Sequence, residues 1–136
     1  MSSLRTLIVG FIALVGLTAP AVSLPHSPSA RVQLFATCAG RLSALEEHQR
    51  MFDGPASEQT AQHKAMFDDI ISALMPDARA YGLPGRQALV WQIEAKMAHA
   101  VLMQRATFST DPRAKERAQQ AAQMRLSQCQ GILLGA

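Results

Sequence analysis

Apolar residues recur at three-, four- and seven-residue spacings in four stretches of the chain, and clusters of proline and glycine separate these stretches. This is the period of an α-helix with one buried face. The first stretch opens at Ser27-Pro28, a capping side chain followed by a proline that the first helical turn tolerates. It sets Phe35, Cys38, Leu42, Leu45 and Phe52 on one stripe with Gln49 in an intermediate slot, while Arg41, Glu46, Glu47 and Arg50 lie mostly off it. The spacing predicts an amphipathic helix stopped by Asp53-Gly54-Pro55. A second helix is expected from about Ala56 to Met75, burying Met66 or Phe67, Ile70, Ile71 and Leu74. Pro76 to Tyr81 is its last turn, kinked or restarted, and Gly82-Leu83-Pro84-Gly85 is a turn.

The third helix, about Arg86 to Phe108, is the most apolar. Val90, Ile93, Met97, Ala100 or Val101, and Phe108 make one stripe, widened by Leu89, Trp91, Leu102 and Met103. This width predicts the most buried flank of the four, and any surplus would form a patch for dimerisation or partner binding. Ser109-Thr110-Asp111-Pro112 caps a fourth helix running to about Leu134, with Ala114, Ala118, Ala121, Ala122, Arg125, Cys129 and Ile132 at helical spacing. Short connections between helices of this length predict antiparallel neighbours. The expected fold is all-α, a four-helix up-down-up-down bundle.

The residues before the first helix follow a different logic. Arg5 precedes Leu7 to Ala19, a run whose only strongly polar member is Thr18, and Pro20 ends it. Such a run has the length of a signal-peptide core and falls short of the roughly 20 apolar residues of a membrane span. Ala19-Pro20-Ala21 and Ala21-Val22-Ser23 both present small residues to a signal peptidase. Residues 1–21 are therefore expected to be a signal peptide, with cleavage possible as late as 23. Residues 22–27 would be a flexible segment and 28–136 the bundle domain, periplasmic or secreted, with no stable membrane span once the leader is removed. Cys38 lies well past this run and follows Phe35-Ala36-Thr37, which is no lipobox.

Losing the leader also changes the charge. The chain has 13 Lys+Arg against 10 Asp+Glu, and Arg5 leaves with the leader, so twelve remain against ten. A nearly neutral domain lacks the one-sided positive charge that drives phosphate binding, which argues against nucleic acid. The two cysteines, Cys38 and Cys129, are most simply a disulfide in an oxidising compartment. The bundle accommodates it. Cys38 falls about 10 residues into the first helix and Cys129 about 5 from the end of the fourth, a mismatch of about 8 Å at 1.5 Å per residue.

Candidate chemistry is sparse. The Glu-x-x-His pattern of di-iron bundles is missing, since Glu46 meets Gln49 and Glu94 meets Met97 at that spacing. There is no Cys-x-x-Cys-His for covalent haem, no Gly-rich phosphate loop and no Gly-x-Ser-x-Gly. No catalytic residue and no cofactor is assigned. His99 and Met103, four residues apart, are candidate soft-metal ligands together with another methionine, although methionine is far more often core filler. Glu94 either faces a pocket near Trp91 and Arg86 or lies on a narrow solvent face beside Arg105. Arg125 is expected to snorkel or to pair with an acid on the first helix such as Glu46, and Asp68-Asp69 to be a solvated face. The small residues Ala36, Thr37, Ala39, Gly40, Ser43 and Ala44 around Cys38 suit close helix contact or, alternatively, a shallow groove for a peptide or lipid chain.

At that segment, at Trp91-Gln92-Ile93-Glu94-Ala95-Lys96 and at the tail from Cys129 to Gly135, the chain resembles small exported helical proteins of marine alphaproteobacteria. The resemblance implies a helical periplasmic protein and carries no activity with it. Two functions follow as expectations. The first is a non-enzymatic periplasmic protein that binds a protein or envelope partner, or forms a homodimer. The alternative is a small-ligand or metal-binding bundle with His99, Met103 and Glu94 near an internal cavity.

Overall fold

A computed structural model describes residues 24–134, with the side chain of Leu134 outside that description. The expected signal peptide and its expected cleavage site lie outside the described residues. Four helices follow one another: α1 (Pro28–Arg50), α2 (Gly54–Ala80), α3 (Gln87–Phe108) and α4 (Pro112–Leu134). Their ends carry the expected chemistry. Ser27 Oγ accepts the Ala30 amide, Asp53 Oδ1 that of Ala56, and Asp111 Oδ1 that of Arg113, which satisfies amides that a helix start leaves without partners. At the end of α2, Gly82 adopts φ +91°. The Gly82 amide then donates to Arg79 O and the Leu83 amide to Ala78 O, the paired closure that favours glycine here. Pro76 sits inside α2, and the expected last turn after it belongs to the same helix, which continues to Ala80 without a restart.

The directions alternate as in an up-down-up-down bundle, and α1 takes the central place. Both α2 and α3 pack along α1, while α4 lies mainly against α3. Gly40, Glu47 and His48 of α1 meet Gln92, Lys96 and Thr107 of α3 in the same order, so these two helices run parallel. Phe35 of α1 stacks 6.0 Å from Phe67 of α2. The Thr60 hydroxyl donates to Gln49 Oε1 at 2.6 Å, which explains a glutamine within an apolar stripe. Asp68 is not simply a solvated acid: it accepts from Lys64 and from Gln92 Nε2, tying α2 to α3.

Two expectations about burial are corrected. Helix α1 buries Val32, Phe35, Ala36, Cys38, Ala39, Gly40, Leu42 and Ala44, which goes most of the way round the helix, whereas Phe52 lies beyond its end and is exposed. Helix α3, expected to have the most buried flank, buries only Ala88 and His99. The cause is the small side chains of α1. A Cβ on Gly40 would collide with the Gln92 carbonyl oxygen and sit 3.0 Å from the Ala95 Cβ. The neighbours of α1 thus approach closely enough that it takes the central place, with Phe67, Ile71 and Ala78 of α2 and Cys129 and Ile132 of α4 packed around it. Helix α3 touches it with a narrow small-residue strip and turns the rest of its surface outward.

Cys38 and Cys129 are joined in a disulfide between α1 and α4, with Cα atoms 5.5 Å apart, and both are buried. Arg41 lies beside it and donates to the Arg125 carbonyl oxygen and to Gln128 Oε1. The pairing of Arg125 with Glu46 does not form, because Glu46 is taken by Arg50 one turn along α1. Among the described residues no helix is long and apolar enough to cross a membrane.

Candidate functional site

The outer face of α3 is the most distinctive surface of the molecule. At 100° per residue, Val90, Ile93, Met97, Val101, Gln104 and Phe108 fall within about 80° of arc along the whole length of the helix. Each of them is exposed; Ile93 is 52 % accessible, Met97 61 % and Phe108 65 %. Leu89 adds a further exposed apolar side chain at one edge. The opposite side of the helix carries Ala88, Ala95 and His99 toward α1. The regular stripe that marks a buried face in most helices here points away from the core.

Charge is arranged along one margin of this stripe. Glu94 and Arg105 are exposed, eleven residues apart, on the same side of the helix about 16 Å from each other. Neither forms an ion pair with another described residue; the ion pairs present are Arg50–Glu46, Lys64–Asp68 and Lys96–Glu47. Of the two alternatives for Glu94, the structure gives the solvent face. The margin toward α1 holds two shallow grooves. One, of about 260 Å³, includes Gly40, Ser43, Leu89, Ile93 and Lys96. The other, of about 270 Å³, includes Glu47, His48, Met51, Ala100 and Gln104. Met51 and Phe52, both exposed, extend the apolar surface beyond the end of α1.

On the inner face, His99 is fully enclosed and neither ring nitrogen has a hydrogen-bond partner. Burial, reinforced by the positive charges of Arg41 and Arg125, pulls its pKa from 6.5 down to about 4. The same burial and the neighbouring Arg125 lower the pKa of Arg41. The ring is therefore neutral at ordinary pH, and an added proton would be desolvated and repelled.

The candidate ligands are only partly brought together. His99 is enclosed, Met103 is half-buried in a groove with Leu45 and His48, and Glu94 stands on the outward side of α3, about 140° of helix rotation away from His99. Among the described residues no three His, Cys, Asp or Glu side chains are grouped to hold a metal ion. His48 is engaged elsewhere, hydrogen-bonded to Thr107 at 3.2 Å and stacked on Phe52. The small residues around Cys38 serve close packing, although at Gly40 the partner is α3 rather than the disulfide-bonded α4. No protein family, curated protein or solved structure matches the chain.

Proposed function

We propose that the chain is a non-enzymatic, exported helical protein, periplasmic or secreted, that works by docking a protein partner on the outer face of α3. The observation that supports this reading is the continuous exposed stripe from Val90 to Phe108. Isolated apolar side chains on a surface are ordinary, whereas a contiguous strip rimmed by polar residues is typical of an interaction surface. A helix presenting anchors at three- and four-residue spacing suits recognition by a groove or by another helix. The disulfide and the leader-like residues 1–21 favour an oxidising compartment.

The test places a photo-crosslinking amino acid at Met97 and, as a control, at the exposed Glu58 on α2, in cells that export the chain. The reading expects a discrete protein adduct from position 97 and none from position 58. No discrete adduct from position 97, or equal adducts from both, would overturn it.

A further inference from the structure

Resting on that reading, we infer that the partner seated on α3 is a second copy of this chain, packed antiparallel across a two-fold axis that passes close to residue 99. The stripe has the symmetry such a pair requires. An isologous interface demands a surface complementary to itself, with residue i meeting residue j and j meeting i. Taken about residue 99, Val90 is matched with Phe108, Met97 with Val101, and Ile93 with Gln104. The charged margin obeys the same rule. Glu94 and Arg105 lie on one side of the stripe and are nearly equidistant from that centre. Antiparallel pairing sets Glu94 of each copy against Arg105 of the other, twice, and answers two exposed charges that have no ion-pair partner among the described residues.

Other arrangements fare worse on the same charges. A parallel pair, related by a two-fold along the helices, would set the Glu94–Arg105 margins of the two copies on opposite sides of the seam and leave all four charges without a partner. A lipid surface would receive the apolar stripe, but it would leave the Glu94 carboxylate on the margin without a partner and, if the lipid were anionic, repel it. Size also fits. The exposed apolar side chains of the stripe present on the order of 600 Å² per copy, so a pair buries on the order of 1,200 Å², at the lower end of specific interfaces. A face at this low end of the range suits a weak, reversible dimer.

The experiment is sedimentation equilibrium of the purified, disulfide-bonded chain from about 1 to 500 µM. The wild type is expected to pass from monomer to dimer across that range. Met97→Glu should remain monomeric with unchanged helical circular dichroism, since Met97 is exposed and its replacement disturbs no core contact. Glu94→Arg or Arg105→Glu alone should weaken association about tenfold by creating two like-charge contacts, and E94R with R105E together should bring it back to within threefold of wild type. A wild type monomeric at 500 µM overturns the dimer, as does a double variant no better than either single one. So does Met97-dependent binding to phosphatidylglycerol vesicles by a monomer. A monomer that still gives a position-97 adduct of a different protein removes this inference alone, whereas the absence of every adduct removes the docking reading too.

Discussion

His99 lies at the inner face of α3 with both ring nitrogens unpartnered, so its contribution to stability depends on pH. Its folded pKa of about 4 lies below the ordinary 6.5. Between those values the unfolded chain holds a proton that the native state lacks, and stability therefore falls as pH drops from about 6.5 to about 4. It is flat in this respect above about 7.5 and below about 3. A displacement of this size corresponds to on the order of 3 kcal/mol. His99→Leu removes the titrating group together with two unsatisfied polar atoms. Urea unfolding should find the variant at least as stable as wild type at pH 7.5, and ahead by about 2–3 kcal/mol more at pH 4.5. Equal pH slopes for the two proteins would refute the assignment.

Gly40 makes the opposite kind of demand. Alanine is the better helix former by about 1 kcal/mol, yet its Cβ would strike the α3 backbone at the Gln92 carbonyl. Backbone cannot swing aside as a flexible side chain can, and overpacking of this kind costs about 1–3 kcal/mol. Gly40→Ala is expected to lower stability by up to about 2 kcal/mol net, visible as a lower melting temperature. A melting temperature at or above that of wild type would mean that α1 and α3 do not approach so closely.

At the scale of the element, α1 and α3 exchange the roles that their composition suggests. The apolar period located all four helices, and Ser27 and the Ser109-to-Pro112 run marked the starts of two of them, whereas Asp53, read only as part of the stop to α1, caps α2. The breakers Gly54, Gly82 and Pro112 sit at their ends, so the architecture was legible residue by residue. Which apolar face goes inside was not, because periodicity shows that a stripe exists without showing what covers it. Helix α1 wins the centre through Ala36, Ala39, Gly40 and Ala44, whose small volume carries little hydrophobic signal and much geometric consequence. The candidate face on α3 was visible as a stripe, but its width pointed to burial. The stability of variants should follow position rather than hydrophobicity. Leu42→Ala on α1, where the side chain is 5 % accessible, is expected to cost about 2–4 kcal/mol. Ile93→Gln on α3 should change monomer stability by less than about 0.5 kcal/mol. Denaturant midpoints for the two, measured at low concentration to exclude association, check the inversion directly.

For the molecule as a whole, the arrangement makes α4 the helix most dependent on covalent help. It lies mainly on α3, touches α1 sparsely, and reaches the centre through Cys129 and Ile132 and the Arg41 contacts to Arg125 and Gln128. Helices α1 and α2, by contrast, share a wide apolar contact through Phe35, Phe67 and their neighbours. The bond joins residues 91 positions apart, and in the chain-entropy account closing such a loop removes about 4–5 kcal/mol of unfolded-state freedom. This is comparable to the whole net stability of many domains. Cys38→Ala with Cys129→Ala is thus expected to lose about 2–5 kcal/mol in guanidinium unfolding. Hydrogen exchange should show the loss first in α4, with protection in α1 and α2 retained longest. Uniform loss of protection in all four helices would instead mean that the bundle is one cooperative unit in which the bond acts only on the unfolded chain. Loss confined to α4 would make the disulfide the clamp that ties this helix to α1, and so part of the support that α4 gives to α3 and its exposed stripe.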